Sequence, residues 1–481
     1  MTTSSIKKNF ILSIAFQILN IVTPLITAPY ISRVLGSEAV GIYSYTSSLQ
    51  LYFSIFAALG TATYGCREIA INRNDILKRS ILFWEIELLT VVTSVVCILL
   101  YILLVVHSYE YHIFLLVLGL KLINTMLDIS WFFIGIEELK YVVYKNAFFK
   151  ILGIALLFIF IKNQDDLLLY MVIMCGTTLL GTISMWFYIP KFINKIKMDK
   201  LNVFHHFKNT LVYFIPTIAT TIYSNIDRTL IGLLTRDMNE SAYYDQTTKI
   251  LELAKSLTFV SLNSLLTSRM SFLFSENKFN EMKEKIMISI DYILFVGLGI
   301  TFAVIGIANR FVPFFFGKEY NDVILFLRIF IIIIVITGIS NCLETQYYTP
   351  AGRRKESTKF ILIGTIVNIV FNLILIPHFS GIGAIISSII AECVIVIQYI
   401  IKCNSFITIT SLINSSYKKV ASGLIMVLII TWLDSFIKND ILALASELIF
   451  GGLAYLIILY LLKDRFFLNL IVRPVLKHIK Q

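Results

Sequence analysis

Apolar segments long enough to cross a lipid bilayer recur along almost the whole of this 481-residue chain. A transmembrane helix needs about 20 mostly apolar residues, because it rises only about 1.5 Å per residue. Only 15% of the residues are charged, against about 25% in an average soluble protein. The pattern predicts an all-α polytopic membrane protein with fourteen spans. The predicted spans are residues 10–31, 40–60, 81–106, 112–134, 143–162, 167–189, 209–234, 243–275, 288–309, 320–344, 359–376, 381–402, 418–437 and 442–462.

The segments between the predicted spans carry an asymmetric charge. If the N-terminus lies inside, the inner segments hold 28 Lys and Arg residues and the outer segments hold 7. Lys and Arg concentrate in cytoplasmic loops, so this count predicts that both termini are cytoplasmic. A basic inner face beside anionic lipid explains the net charge of +11, and no nucleic-acid partner is predicted. The first apolar run shows no small-residue cleavage site, so we expect a span there rather than a signal peptide.

Six basic residues are counted with neither the inner nor the outer segments and fall inside the predicted spans, where charge is expensive. A charged side chain near the bilayer centre costs about 2.5–3.5 kcal/mol on insertion scales, so it needs water, a partner or a ligand. Arg269 is close enough to the inner surface to extend towards it. Lys121, Arg228 and Arg328 predict a shared aqueous cavity that binds an anion, with Asp227 balancing one of the three charges. The six are Lys121, Lys150, Arg228, Lys255, Arg269 and Arg328.

A polar stripe runs along the first predicted span. Residues three or four apart share a helix face, so a repeat of polar residues at this spacing marks one side of the helix. Pro24 interrupts the helical hydrogen bonds within the stripe and marks a predicted bend. We expect Gln17, Asn20 and Pro24 to line and gate a path through the protein. The stripe consists of Gln17, Asn20, Thr23 and Thr27.

For the other polar groups inside the spans we predict either a structural role or a role in ion coupling. Glu252 and Lys255 lie three residues apart and are predicted to form an ion pair. Asn368 and Asn372 are predicted to make a structural interhelical hydrogen bond, which is worth about 0.6 kcal/mol on average. Glu392 fits either proton coupling or packing, and with Asp128 and Asp227 it forms the set of candidate carriers of a coupling ion, H⁺ or Na⁺. In the fourth span the predicted stripe is Lys121, Asn124, Thr125 and Asp128.

No motif for covalent chemistry or metal binding accompanies these charges. The chain contains no GxxxxGK[ST] phosphate loop, no CxxC pair and no HExxH-like spacing of its six histidines. The six cysteines lie in or beside apolar runs, where small buried hydrophobes are expected. We therefore predict no cofactor, no metal site and no enzymatic activity.

A weak internal similarity links the first and seventh spans. Each has a proline in mid-span (Pro24, Pro216), threonines after it, and an arginine towards the outer end (Arg33, Arg228). Six spans separate the two, so both cross in the same direction and the repeat is parallel. This predicts two six-span lobes, residues 1–206 and 207–404, followed by two additional spans and a basic tail in residues 405–481.

Five segments resemble the Wzx-type polysaccharide-repeat flippases of the multidrug/oligosaccharidyl-lipid/polysaccharide exporter superfamily. The resemblance runs from about residue 7 to residue 402 and is specific as an ensemble rather than motif by motif. The segments are PYISRVLGSEAVGIYSYTSSL (29–49), ATYGCREIA (62–70), SNIDRTLIGLL (224–234), FFFGKEY (314–320) and NIVFNLILIPHFSGIGAIISSIIAE (368–392).

The resemblance implies two six-helix bundles arranged as a V, with two further C-terminal helices. It implies a bacterial cytoplasmic membrane location and a substrate of undecaprenyl-diphosphate-linked oligosaccharide, moved from the inner to the outer leaflet by alternating access. Polysaccharide polymerase is the implied protein partner. Family members carry basic residues in the central cavity, and Arg33 and Arg228 match them in placement. Lys121 and Arg328 join this predicted substrate-binding set from their position in the spans.

Two alternatives stay open at this point. A lipid II flippase of a related branch would also handle an anionic lipid-linked sugar. A membrane polymerase or ligase of glycan assembly usually carries a large outer loop with clustered polar residues, whereas the outer loops predicted here are short.

Overall fold

The computed structural model describes residues 3–107, 110–197, 201–403 and 406–469, and the side chains from residue 17 onwards except at 261, 264 and 265. Within these ranges the regular structure is entirely helical. Helices satisfy their own backbone hydrogen bonds, which a lipid environment requires. Ten of the helices are long and apolar enough to cross a membrane. The predicted basic tail residues Arg473, Lys477 and Lys480 lie outside the described part of the chain, and so does Lys200.

Two long helices each contain two of the predicted spans. The first runs from Thr3 to Ala58 and is broken at Gly36, whose φ of 78° suits glycine. The second runs from Arg354 to Lys402 and is broken at Ser380, where φ is 49°. All fourteen predicted segments therefore lie on helices, although the count of fourteen crossings stays a prediction. The α-helical character and the many apolar helices are confirmed.

The described chain divides into two compact units, Met1–Ala242 and Tyr243–Gln481. The predicted lobes divide after residue 206, whereas the first unit also includes the seventh predicted span, residues 209–234. The division into lobes stays a prediction. In the first unit an aromatic core that includes Phe83, Trp131 and Phe132 forms where α2, α3 and α6 meet. The helices are α1 (Thr3–Ala58), α2 (Thr61–Ile71), α3 (Ile76–Leu100), α4 (His112–Leu118), α5 (Leu120–Leu127), α6 (Ser130–Gly135), α7 (Leu139–Phe160), α8 (Leu167–Trp186) and α9 (Phe207–Thr235).

The second unit begins inside α10 and has its own core. Here α12 packs against the two C-terminal helices α16 and α17, around Met426, Ile430 and Tyr455. Gly423 allows close packing, because a Cβ there would lie 2.0 Å from the Phe302 ring. The helices are α10 (Met238–Lys255), α11 (Ser261–Ser275), α12 (Phe279–Phe315), α13 (Val323–Phe330), α14 (Ile333–Leu343), α15 (Arg354–Lys402), α16 (Ile409–Asp434), α17 (Asp440–Leu461) and α18 (Arg465–Phe467).

Candidate functional site

A cavity of about 360 Å³ lies between three helices of the first unit, α1, α7 and α8. Its wall combines hydroxyl, amide and ammonium groups with a few apolar and aromatic side chains. We call it the first-unit cavity. Its lining residues are Asn20, Thr23, Thr27, Ile31, Lys145, Asn146, Phe149, Lys150, Gly153, Ile154, Leu157, Tyr170, Met174, Thr177, Thr178 and Gly181.

Helical spacing brings these residues to one place. On α1 the lining positions advance by three or four residues, from Asn20 to Ile31, and so keep to one face. The lining positions on α7 and α8 follow the same rule. Two glycines set the approach of α7 to α8: a Cβ on Gly153 would lie 3.0 Å from Thr177 Oγ1, and one on Gly181 would lie 3.1 Å from the Phe149 ring.

The first-unit cavity is cationic. Two lysines of α7 line it, and no lining residue is acidic. Lys150 Nζ donates a hydrogen bond of 2.6 Å to Oδ1 of Asn20, and this amide is a neutral partner. Lys145 makes no hydrogen bond or ion pair within the described residues, although Asp128 is close enough to interact with it electrostatically. A site with positive charge and little compensating acid favours an anionic ligand.

Backbone and hydroxyl groups add acceptors to the α1 wall. Pro24 has no N–H, so the carbonyl of Asn20 lacks its helical donor. The helix nevertheless passes through Pro24 with helical dihedral angles, and the non-helical residue in α1 is Gly36. Thr27 Oγ1 donates to the carbonyl of Thr23 at 3.0 Å, which leaves its oxygen free to accept. The bending and gating role of Pro24 and Gln17 stays a prediction; the Gln17 side chain is exposed.

Two of the predicted substrate-binding cations in the first unit lie near this cavity but do not line it. Arg33 is two residues beyond the lining residue Ile31 on α1, and its side chain is exposed. Lys121, on α5, places its Nζ 5.3 Å from the centre of the Tyr43 ring. The Tyr43 ring in turn meets the ring of Tyr170, a lining residue, edge-on at 5.2 Å. One aromatic pair therefore connects Lys121 to the cavity wall.

The adjacent residues Asp227 and Arg228 on α9 differ in burial. Asp227 is only 4% exposed, whereas Arg228 is half-buried. The next residue, Thr229, bonds both Ser48 and Tyr52 of α1 at 2.9 Å, so this part of α9 packs on the second half of α1. Arg228 Nη1 lies 3.4 Å from Asn225 Oδ1 on the same helix. The predicted roles of Arg228 in binding and of Asp227 in support or ion coupling remain predictions.

The predicted polar stripe of the fourth span is shorter than expected. The helix ends at Leu127, and Asp128 has an extended backbone with ψ of 101°. Its carboxylate accepts hydrogen bonds from the backbone N–H of Ser130 at 3.0 Å and from the Ser130 hydroxyl at 2.5 Å. This local turn competes with the helix, as Asp side chains often do. The prediction that Asp128 shares a helical face with Lys121 is wrong, because the helix stops between them.

Polar groups of the second unit mostly make structural contacts. Arg328 Nε donates to the carbonyl of Ile305 on α12 at 3.3 Å. Asn372 donates to Asn368 at 3.1 Å, and Asn368 donates to Ser388 at 3.2 Å, which confirms the predicted structural hydrogen bonds. Glu392 is 8% exposed. The predicted pair is also confirmed, with Lys255 Nζ 2.8 Å from a carboxylate oxygen of Glu252.

Sequence reasoning missed the two cavity lysines as a pair. Lys145, near the inner end of the fifth predicted span, counts among the 28 inner-segment charges, and Lys150 is recognised only as one of six cations inside spans. A signal was present, since Asn146 and Lys150 lie four residues apart on one helical face and Lys145 directly precedes Asn146. No three His, Cys, Asp or Glu side chains in the described ranges lie close enough together to hold a metal ion.

Comparison with protein families gives two matches that together span most of the chain. The model of the family described as "Polysaccharide biosynthesis protein" matches residues 6–266. The model of "Lipid II flippase MurJ" matches residues 143–451.

Three curated relatives are similar over long stretches. Putative O-antigen transporters of Shigella dysenteriae and Escherichia coli are 22% and 23% identical; each alignment covers 81% of this chain, and 98% and 95% of the respective relative. The capsular polysaccharide biosynthesis protein CapF of Staphylococcus aureus is 25% identical over 60% of this chain and 76% of its own length.

Solved structures share the fold. The lipid II flippase MurJ in an inward closed conformation aligns with a TM-score of 0.74 and 17% identity, covering 96% of this chain and 100% of that one. An inward-facing multidrug resistance MATE family transporter of the MOP superfamily aligns with a TM-score of 0.59 and 15% identity, covering 80% of this chain and 94% of that one.

Proposed function

We propose a function on the premise that this chain belongs to the polysaccharide biosynthesis protein family. It is a Wzx-like flippase of the multidrug/oligosaccharidyl-lipid/polysaccharide exporter superfamily, and it moves lipid-linked oligosaccharide repeat units across a membrane. The transporter relatives, which this chain matches over most of their length, support this activity.

The substrate we propose is an oligosaccharide attached to undecaprenyl diphosphate. The observation that carries this proposal is the pair Lys145 and Lys150 in a cavity without a lining carboxylate. A diphosphate cannot enter a bilayer without losing its hydration, and ammonium groups replace that hydration with charge-assisted hydrogen bonds. Lys150, held by the neutral Asn20, keeps its charge available to the diphosphate.

The proposed transport cycle is alternating access from the inner to the outer leaflet of the bacterial cytoplasmic membrane. The diphosphate binds in the first-unit cavity, and the predicted cations Arg33, Lys121, Arg228 and Arg328 neutralise the head group along its path. The polyprenyl tail stays in lipid. No bond is made or broken, so release outside depends on a gradient or on a coupling ion carried by Asp128, Asp227 or Glu392. A polysaccharide polymerase receives the product.

Export of repeat units in a strain that lacks its own flippase tests the proposal. We expect the double variant Lys145→Gln/Lys150→Gln to insert normally and to lose export about a hundredfold, because charged hydrogen bonds contribute about 1.5–3 kcal/mol each. Lys145→Arg/Lys150→Arg keeps the charge and should retain export. Undiminished export by the Gln variant would refute the cavity as the diphosphate site.

Arg228 is tested in the same assay. Arg228→Ala with normal insertion and full export would remove Arg228 from the path. Arg228→Lys should keep part of the activity if charge alone matters, and little if a bidentate contact with phosphate matters.

A second candidate function is the flipping of lipid II. The MurJ family model matches residues 143–451, and this match is the observation in its favour. Both substrates are anionic lipid-linked sugars, so the cavity suits either. Purified protein in proteoliposomes offered fluorescent lipid II and a labelled repeat-unit lipid separates them: the proposal expects the repeat-unit lipid to be flipped faster.

A further inference from the structure

Helix α9 carries a row of polar side chains that the cationic cavity does not use. Between residues 217 and 228 a hydroxyl, amide or guanidinium group occurs every one to four residues along one side of the helix. We call this row the α9 polar face. Its members are Thr217, Thr220, Thr221, Ser224, Asn225 and Arg228.

The six side chains occupy one sector of the helix. At about 100° per residue they fall within about 140° of its circumference. Thr217, Thr220 and Ser224 are exposed. Val212 and Ile215, which are 68% and 57% exposed, lie on the opposite side. The apolar side suits contact with lipid, and a polar sector inside a transmembrane helix suits water or a polar ligand.

Each hydroxyl group of this face donates its proton to a backbone carbonyl of the same helix. Thr217 Oγ1 donates to the carbonyl of Tyr213 at 2.9 Å, and Thr220 Oγ1 donates to that of Pro216 at 3.1 Å. Ser224 Oγ donates to the carbonyl of Thr220 at 2.9 Å. A hydroxyl has one proton and two lone pairs, so each of these oxygens presents only acceptor sites to a ligand.

Thr221 follows the same pattern, because its Oγ1 donates to the carbonyl of Thr217 at 2.8 Å. The Asn225 amide donates to the carbonyl of Thr221 at 3.0 Å, but an amide has two N–H groups, so the acceptor surface ends before Asn225. From residue 217 to residue 224 the face is therefore a surface of acceptors, and the guanidinium of Arg228 lies beyond it.

Such a surface selects the chemistry of what binds it. Phosphate and carboxylate groups carry acceptors only and find few donors there. The hydroxyls of a neutral sugar each bring a proton to donate. We propose that residues 217–224 of the α9 polar face bind the neutral, hydroxyl-rich sugars of the repeat unit, while the first-unit cavity binds the diphosphate; this assignment rests on the proposed flippase function. The two parts of one substrate thus have separate recognition surfaces.

The test compares two lipids on one variant. The variant Thr217→Val/Thr220→Val/Ser224→Ala keeps side-chain shape and removes three acceptor oxygens. Binding to purified protein in detergent is measured for undecaprenyl diphosphate alone and for undecaprenyl diphosphate carrying a neutral trisaccharide. We expect about tenfold weaker binding of the trisaccharide lipid and unchanged binding of the bare lipid, because only the sugar contacts are lost.

Two matched variants complete the design. Thr431→Val removes an exposed hydroxyl that bonds its own helix elsewhere, at Leu428, and should change neither affinity. Lys145→Gln/Lys150→Gln should weaken both lipids alike. Equal losses for the two lipids in the α9 variant, or no loss for either, would overturn the α9 assignment alone. Wild-type protein that binds neither lipid would instead contradict the proposed function, and the α9 assignment with it.

Discussion

Lys419 in the second unit and Lys150 in the first both lie within apolar helices, yet their surroundings are opposite. Lys419 is 1% exposed, and its Nζ meets the carbonyl of Ser415 at 2.7 Å, Asp464 at 3.2 Å and Asp291 at 3.7 Å. Lys150 is half-buried beside a cavity, and its hydrogen-bond partner there is the amide of Asn20. One lysine is neutralised by the protein itself, and the other keeps its charge for a ligand.

A second cluster strengthens the contrast. Arg310 of α12 bonds Asp434 at 2.5 Å and lies 3.7 Å from Asp440 and 3.8 Å from Glu447. Together with Lys419 it fixes α16 and α17 to α12 at two separated points. The second unit therefore uses cations to hold helices together, whereas the first unit leaves Lys145 and Lys150 in a cavity without lining acids.

Replacing Lys419 should be the most damaging change. Lys419→Met leaves the buried Asp464 and the half-buried Asp291 without their cation, and removing one partner of a buried pair costs about 3–5 kcal/mol. Thermal unfolding in detergent, followed by size-exclusion chromatography, should show a large fall in Tm. Lys438→Met, at an exposed loop position, serves as the control. An unchanged Tm for Lys419→Met would mean that the cluster does not clamp the helices.

A larger side chain between α7 and α8 should have the next largest effect on stability. Gly153→Val places a branched side chain where even a Cβ would lie 3.0 Å from Thr177 Oγ1, and overpacking of this kind costs about 1–3 kcal/mol. We expect lower Tm and reduced export together. Gly176→Ala on α8, the helix that Gly153 faces, is the control, because nothing lies within 4 Å of the added Cβ. Full export by Gly153→Val would argue against the cavity as the substrate site.

A carboxylate placed beside Lys150 should neutralise its charge from within the protein, as Asp464 and Asp291 neutralise Lys419. Asn20→Asp replaces the neutral partner, now 2.6 Å away, by an anion. The internal pair competes with the substrate diphosphate, so export should fall about tenfold, a change of about 1.4 kcal/mol, while Tm stays the same or rises. Asn20→Ala frees the lysine and should preserve export. A fall in export with Asn20→Ala as deep as with Asn20→Asp would show that the amide itself is needed.

The exposed pair of Glu252 and Lys255 should matter least. Its atoms are 2.8 Å apart, but the Glu252 side chain is 68% exposed. Exposed pairs contribute about 0.3–0.5 kcal/mol, because water competes with each charge. Glu252→Gln should therefore leave Tm unchanged within error. A loss as large as that of Lys419→Met would mean that exposure is a poor guide to the worth of ion pairs in this protein.

The parts of this structure that follow from local pattern were predictable. The apolar runs gave the helices, and the three-to-four spacing of Asn20, Thr23 and Thr27 placed them on one face. The i,i+3 pair of Glu252 and Lys255 needed only helical geometry. Each of these depends on residues within a few turns of one another.

What could not be predicted depends on distant partners or on backbone exceptions. Lys419 counts among the 28 inner-segment charges, and nothing local reveals its partner Asp291, which lies more than a hundred residues earlier in the chain. Lys145 likewise counts among these charges, since hydropathy does not fix where a helix begins and α7 starts at Leu139. Asp128 ends a helix through its own side chain, and the break in α15 at Ser380 depends on a positive φ of 49° at a residue that is not glycine.

The Lys419 cluster also sets an order of events during biosynthesis. Asp291 enters the membrane first with α12, Lys419 follows with α16, and Asp464 emerges from the ribosome only after α17 is complete. Until then Lys419 has a single carboxylate, at 3.7 Å. The last turn of the described chain thus completes the charge balance of a site begun much earlier. A nascent chain that stalls before residue 464 therefore carries an incompletely neutralised lysine in the membrane.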